Sequence, residues 1–415
     1  MPMSKVIDAM TTAVNTIFGT SAGAALGTGA NNTFIGASAG ANVGGGSGNT
    51  LVGSTAGAAV SSGSNNVGIG LLALRFATTA FDNVVIGHQS GIALSSGSGN
   101  VAIGKNAGLG LTTAINSVFV GTAAGQNATG SGCVGIGQAA LLACTANDNV
   151  AIGRAAAFAM TSGYDNIAIG SAALRLTTTG QGNIAIGRAA LEQLQARPNP
   201  ADGADLRCMF NIAIGPACLG QLTTGWENMG LGNNVMPVAT TGSVNTAIGS
   251  EAMRGLTTGS VNTAYGVAAL QAVTTGSFNT GIGANAGGIV ADPNAVTTGS
   301  NNTFVGSGAW PSSPVQQDHM TLIGADCTGA RSNAVLLGRA SGADTIVAQG
   351  PLEAGGPIKL KAYPVANLPV PALAATAFAS NARKMSEAAG GGTGIPVWSD
   401  GSAWRTFYDN SVAAV

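Results

Sequence analysis

Two carboxylates lie at equivalent places of neighbouring repeats and could act together on a glycosidic bond. Asp148 and Asp165 each precede an asparagine and are 17 residues apart. If the segments that carry them stack as adjacent strands, the two carboxyl groups lie about 5 Å apart, which is the separation of a retaining glycosidase pair. Aspartate before asparagine is also a turn residue, and Gly or Asn fills this slot in many other copies. The turn role is therefore favoured, and we predict that the chain is not an enzyme.

A second group of potential ligands lies further along the chain. Asp318, His319 and Asp326 could bind a metal ion, but a single histidine in a loop more often faces solvent. We therefore predict no metal site and no cofactor. The five cysteines have no C-x-x-C spacing, which predicts reduced thiols and synthesis in a reducing compartment.

The composition excludes several classes of protein. Only 8% of the 415 residues are charged, against roughly 25% in an ordinary soluble domain, and 65 are glycine. Disordered chains are rich in charge, and nucleic-acid binders carry a basic surplus, whereas this chain has 16 basic and 17 acidic residues. No apolar run is long enough to predict a membrane span, and the N-terminus MPMSKVIDAMTTAV lacks the features of a signal peptide.

A repeat of 17 residues organises the chain. The motif Asn-x-x-Ile-Gly, or a close variant, occurs in 19 copies, from the copy that ends at Gly19 to the copy that ends at Gly338. Most successive copies are 17 residues apart, and insertions lengthen a few intervals. A fixed period with rare insertions is the signature of a repeat architecture.

Each copy predicts one short strand between turns. Three apolar residues precede the glycine, a length that suits a strand better than a helix, and the glycine and a Thr-Thr-Gly segment suit turns with positive φ. We therefore predict an all-β fold, a β-solenoid (β-roll) of about 19 coils whose strands pair in parallel. At the usual strand spacing the rod would be about 85 Å long.

Three positions of the repeat are predicted to build the interior. The large residue before each glycine, such as Ile35 or Ile152, should form one line of the core, and the alanine three residues after the glycine, such as Ala39, the opposite wall. The recurring asparagines should stack as an amide ladder that caps backbone groups. Cys133 replaces a ladder asparagine and Cys218 a wall alanine, so both should be small buried side chains.

The strand triplets are apolar on both faces, which predicts an oligomer. Successive side chains of a strand point to opposite faces, yet all three residues of 150–152, Val-Ala-Ile, are apolar. A strand with one wet face should alternate apolar with polar residues. One face would line the coil's own core, and the other would meet a neighbouring copy, with a thicker contact where the middle residue is large, as in Phe34 or Phe119. We predict a parallel homo-oligomer, with three rods as the number that closes a compact bundle.

The chain is predicted to have three parts. Residues 1–14 form a short N-terminal attachment segment, residues 15–338 the solenoid shaft, and residues 339–415 a C-terminal module. The last part is set apart by its composition, since it contains two of the four tryptophans, Trp398 and Trp404. Both are candidates for contact with a receptor or partner.

Three insertions interrupt the period and are predicted to form loops. They lie near residues 194–209, 288–295 and 310–320. Loops that project from a rigid scaffold are common places for binding. Arg197, Asp202 and Trp310 are therefore further candidates for receptor or partner contact, although the same loops could cover a seam between copies.

The C-terminal segment resembles a sequence that often ends phage tail-fibre and related virion proteins. Residues 390–405, GGGTGIPVWSDGSAWR, are similar to a Gly-rich stretch followed by Val-Tyr-Ser-Asp-Gly-Thr-Asn-Trp-Arg, with Trp398 in place of the usual Tyr. The repeats look like those of phage fibre shafts and are similar to the head domain of trimeric autotransporter adhesins, which are left-handed β-rolls in a homotrimer with a repeat nearer 14 residues. The resemblance carries over no catalytic residue.

These features together predict a virion structural protein, a trimeric tail fibre or similar appendage that attaches to the host surface. Its partners would be sister copies in a homotrimer, other virion proteins and a host receptor such as a glycan. It would be made in the host cytoplasm and end in the virion. The alternatives are a head or collar fibre or decoration protein, a bacterial trimeric surface adhesin, and a tailspike depolymerase. The adhesin needs export and a membrane anchor, and neither is found.

Overall fold

The computed structural model describes most of the repeat region and four strands beyond it. The described residues are 14–195, 208–289, 297–312, 318–329, 332–339, 362–363, 376–379, 395–399 and 404–406. The chain divides into two compact units, Met1–Ile346 and Val347–Val415.

The described residues form short strands and no helix. In chain order the strands are β1 Thr16–Phe18, β2 Thr33–Ile35, β3 Thr50–Val52, β4 Val67–Ile69, β5 Val84–Ile86, β6 Val101–Ile103, β7 Val118–Val120, β8 Val134–Ile136, β9 Val150–Ile152, β10 Ile167–Ile169, β11 Ile184–Ile186, β12 Ile212–Ile214, β13 Met229–Leu231, β14 Thr246–Ile248, β15 Thr263–Tyr265, β16 Thr280–Ile282, β17 Thr303–Val305, β18 Trp310–Pro311, β19 Thr321–Ile323, β20 Thr328–Gly329, β21 Val335–Leu337, β22 Ala362–Tyr363, β23 Thr376–Ala379, β24 Ile395–Ser399 and β25 Trp404–Thr406.

The first unit is a parallel β-solenoid. Its 19-stranded sheet contains β1–β17, β19 and β21, each paired in parallel with the next. The register advances by one repeat, so that Val150 pairs with Ile167 and Ile167 with Ile184. At about 4.8 Å per strand, the sheet is about 85 Å long. The predicted all-β solenoid with its 17-residue period and parallel pairing is confirmed.

Glycine is required after each strand for two reasons. At Gly170, φ is +130°, a backbone conformation that other residues rarely adopt. A Cβ at Gly170 would also lie 2.6 Å from the carbonyl oxygen of Gly187 in the next coil. The coils therefore approach backbone to backbone at this turn, and the predicted positive φ of the repeat glycine is confirmed. The positive φ predicted for the Thr-Thr-Gly segment is wrong, since Gly242, Gly259 and Gly276 do not have it.

The middle residue of each strand, not the residue before the glycine, faces the core. Ala151 and Phe119 are fully buried, whereas Ile152 is 36% exposed and Ile35 39% exposed. The prediction that the residue before the glycine forms a core line is therefore wrong, and so is the prediction that a large middle residue thickens a contact between copies. The ladder asparagine and the middle residue are two positions apart and share a face of the strand. Because the asparagine is buried, the middle residue is buried with it.

The interior of each coil is built by five positions, counted from the ladder asparagine as position 1. Positions 2–4 are the strand and position 5 is the glycine. In one coil the inward side chains are Asn183, Ala185, Ala190, Leu191 and Leu194, all fully buried. They occupy positions 1, 3, 8, 9 and 12. The predicted alanine wall is position 8, and its burial is confirmed.

Positions 3 and 9 exchange volume from one coil to another. A small position 3 faces a large position 9 in the pair Ala168 and Leu174, and both are fully buried. The reverse holds where Phe119 at position 3 accompanies Gly125 at position 9, since a Cβ on Gly125 would overlap the phenyl ring. In these coils a large side chain at one position is thus matched by a small one at the other.

The second unit contains a four-stranded sheet. β22 pairs in parallel with β23, and β23, β24 and β25 pair antiparallel in that order. The register places Trp398 opposite Thr376 on one side and Arg405 on the other, and Trp404 opposite Ser399.

Candidate functional site

The predicted contact residues are distributed over both units. Trp310 is half-buried in β18, which pairs with β20, so this part of the third insertion is a strand and not a loop. Arg197 and Asp202 lie outside the described residues, as do 196–207 of the first insertion, 290–296 around the second and 313–317 of the third. Trp398 and Trp404 are strand residues of the second unit.

The two carboxylates that could form a hydrolytic pair occupy a turn. Asp148 and Asp165 have φ of +58° and +56° and are exposed. The backbone N–H of Asp148 donates to the carbonyl of Ser131 in the preceding coil, at 3.1 Å. Both residues therefore have the left-handed conformation that Asp, Asn and Gly tolerate best, in agreement with the favoured turn role.

The carboxylate and histidine near the end of the solenoid also belong to the turns. Asp318 accepts a hydrogen bond from the backbone N–H of Ser300 at 2.7 Å, and His319 has φ of +57°. Within the described residues, no group of three or more His, Cys, Asp or Glu side chains could hold a metal ion.

A continuous amide ladder runs through most of the solenoid, as predicted. Asn166 donates from Nδ2 to Oδ1 of Asn149 at 3.1 Å and to the carbonyl of Gly180 at 2.7 Å. Its Oδ1 accepts from the backbone N–H of Asn183 at 3.0 Å and from Nδ2 of Asn183 at 3.1 Å. Every polar atom of this buried amide is thus bonded, as burial requires.

The ladder changes character at two successive coils. The hydroxyl of Ser117 accepts a hydrogen bond from the backbone N–H of Cys133 at 3.3 Å and donates one to the carbonyl of Gly130 at 3.2 Å. Cys133 then occupies the ladder position, and Cys144, at position 12 of the same coil, replaces a core residue. The Asn–Asn side-chain bonds that join other coils are therefore interrupted here.

The two thiols at this interruption share one acceptor. The Sγ atoms of Cys133 and Cys144 each lie 3.3 Å from the carbonyl oxygen of Ala146, and Nδ2 of Asn149 lies 3.4 Å from Sγ of Cys144. The hydrogen bond between the two thiols lowers the pKa of Cys133 and raises that of Cys144, which burial raises further. Burial alone raises the pKa of Cys218 to about 12. Cys133 and Cys218 are both fully buried, as predicted.

One uncovered surface of the described residues is the outer side of the 19-stranded sheet, which we call the strand face. It consists of the side chains at positions 2 and 4 of these strands. None of these residues is charged, and most are Val, Ile, Leu or Thr. The side chain at position 4 is exposed in many coils, among them Ile152, Leu231 and Tyr265. The sequence predicts one unpartnered apolar face, but the structure exposes the opposite side of the strand.

A second apolar surface lies at the turn that precedes the strand. Val244, Val261 and Phe278 occupy position 17 of successive coils with φ near +59° and are at least 40% exposed. Phe210 and Trp226 are exposed at the same turn of the two preceding coils. Most other coils place Asn, Asp or Gly immediately before the ladder residue, so the departure is visible in the sequence once the repeats are aligned.

Comparison with protein-family models, with curated proteins and with solved structures found no match. In the part of the chain that the structure describes, no helix has the length and apolar character needed to cross a bilayer.

Proposed function

We propose that this chain is a structural rod that assembles side by side with copies of itself as a homotrimer and serves as a virion appendage, a tail fibre or similar, for attachment to a host. The uncharged strand face carries the proposal. Exposed apolar patches of this extent on soluble proteins mark interaction sites. The resemblance of residues 390–405 to the ends of phage fibres supports the virion context.

The size of the strand face suits self-association. Its length of about 85 Å and a strand width of about 10 Å give roughly 850 Å² for each copy, close to the ~800 Å² per partner of a stable interface. The face is most apolar in its middle, where position 2 is Val or Ile from β4 to β12. Towards both ends position 2 is mainly Thr. A parallel arrangement brings like regions together, because equal coils then lie at equal heights.

The oligomer is tested by mass in solution. Sedimentation velocity or light scattering should give about three times 40.2 kDa, the mass of one chain. Ile169→Lys places a charge on the strand face and should weaken association at least tenfold. Ser171→Lys is the matched control, since Arg154 and Arg188 occupy the equivalent position of the adjacent coils. A wild-type chain that remains a monomer at micromolar concentration would contradict the proposal.

The virion role is tested on particles. Antibody against this chain, imaged by electron microscopy, should label a fibre or similar appendage at a fixed place on the particle. Particles that carry this chain without residues 339–415 should still assemble, but they should adsorb poorly to the host if the C-terminal module contacts the receptor. Normal adsorption would place the receptor contact elsewhere on the rod, whereas absence of label from particles would reject the virion assignment.

A further inference from the structure

We propose that Cys133 and Cys144 are a redox-active pair, and that a small-molecule disulfide such as oxidised glutathione converts them to a disulfide that closes one coil of the solenoid. This chemistry does not rest on the proposed function. It arises from two cysteines that a single coil places at positions 1 and 12, where other coils carry an asparagine and a core residue.

The geometry supports the pairing because the two sulfurs share one hydrogen-bond acceptor. Each Sγ is 3.3 Å from the carbonyl oxygen of Ala146, so both thiols approach the same atom. Both residues are fully buried. A disulfide requires the sulfurs to approach to about 2.05 Å, so the proposal requires the two side chains to rotate away from Ala146 and towards each other.

The structure around Cys133 and Cys144 should let a small molecule reach these thiols more easily than those of other coils. The coils that start at Ser117 and Cys133 have 16 residues instead of 17, and neither has the Asn–Asn side-chain bond of its neighbours. Local opening of a structure occurs first where fewer buried hydrogen bonds hold it. A small disulfide can therefore reach these thiols more readily than Cys218, which is buried in a coil whose Asn–Asn side-chain bonds are intact on both sides.

The reaction is a two-step thiol–disulfide exchange. The thiolate of Cys133 attacks one sulfur of oxidised glutathione, forms a mixed disulfide and releases one glutathione thiolate. Cys144 then loses its proton to solvent and attacks the sulfur of Cys133, which releases the second glutathione. The protein loses two electrons and two protons, and the oxidant becomes two molecules of reduced glutathione.

The resulting bond should be reversible. Once both thiol protons are gone, the carbonyl of Ala146 loses the two donors it has in the reduced protein. A partly buried carbonyl that loses its donors destabilises the oxidised form, and disulfides of this kind are easily reduced. We therefore expect oxidation to close the 133–144 segment in an oxidising medium and dithiothreitol to reopen it.

The test counts accessible thiols by mass. The full chain is reduced, freed of reductant, incubated with oxidised glutathione, and then denatured in N-ethylmaleimide. The reduced chain should gain five maleimides and the oxidised chain three, with a peptide that links Cys133 to Cys144. The Cys133→Ser variant should gain four maleimides with or without oxidised glutathione. Cys218→Ser is the matched control, and it should gain four maleimides when reduced and two after oxidation.

Three results would overturn the proposal. The first is that the chain still gains five maleimides after incubation with oxidised glutathione at a temperature where amides of this coil exchange with solvent. The others are a stable glutathione adduct in place of the internal disulfide, and a disulfide that involves another cysteine or another chain. Because the wild-type peptide map does not need a variant, a failure of Cys133→Ser to fold would not affect the test.

Discussion

The exchange of volume between positions 3 and 9 predicts that a double substitution repairs what each single one damages. Phe119→Ala removes a fully buried ring, which costs about 3–5 kcal/mol in cores of this kind. Gly125→Leu alone places a side chain into that ring and adds about 1–2 kcal/mol for a left-handed backbone, since φ is +56° there. The double variant reproduces the arrangement of Ala168 and Leu174, where Leu174 has φ of +50°.

The double variant should therefore be more stable than either single one. Its remaining cost is the backbone conformation plus a small gap beside Gly135, whose Cβ would lie 2.8 Å from the Phe119 ring. We expect a total loss of about 2–3 kcal/mol, and a favourable coupling of at least about 2 kcal/mol between the two sites.

Equilibrium unfolding in guanidinium, at one fixed protein concentration, measures the global change. Native-state hydrogen exchange of the amides from Phe119 to Leu141 measures the local one. Val120→Ala, on the outward side of the same strand, is the control and should cost less than Phe119→Ala. Additive losses in the double variant would refute the idea that one side chain fills the space that the other leaves.

Three more predictions concern the ladder and the glycine turn. Asn166→Ala should lower the free energy of unfolding by about 1–3 kcal/mol for each buried group left without a partner. Asn166→Ser should lower it less, because Ser117 already fills a ladder position. Thermal unfolding measures both changes. Gly170→Ala should cost at least about 2 kcal/mol in the same assay, whereas Gly45→Ala, whose Cβ would meet only the Thr28 hydroxyl at 3.9 Å, should be neutral. Hydrogen exchange should be faster around Cys133 than in the coils with an intact ladder, and equal rates would contradict the role of the Asn–Asn bonds.

The period, the strands and the amide ladder could all be predicted because each depends on local sequence repeated many times. Gly170 illustrates this, since the conformation it requires and its close approach to Gly187 recur in coil after coil. The orientation of the strand could also have been derived. A buried ladder at Asn166 forces Ala168 inward by strand alternation, but size favoured Ile169 as the core residue, and the larger side chain was wrongly assigned to the interior.

The thiol pair was harder to anticipate for a different reason. Cys133 could be assigned to the ladder from its alignment with the asparagines, but its neighbour Cys144 lies at position 12, which the strand motif does not mark. Only the path of the chain around the coil shows that the side chains at positions 1 and 12 approach the same carbonyl, that of Ala146. Residues that approach through a turn of irregular backbone are not related by any simple sequence period.

The core and the strand face are under different constraints, and this difference favours self-assembly. Position 3 varies from Gly135 to Phe119, and in coils such as these position 9 compensates, with Leu141 beside Gly135 and Gly125 beside Phe119, so the strand need not move when the core changes. Position 4 faces outward and cannot be compensated in this way, and it is Ile or another large apolar residue in every coil. A side chain in open solvent would tolerate polar substitution at little cost. Its uniform apolar character along an uncharged sheet is what packing against a second copy would require.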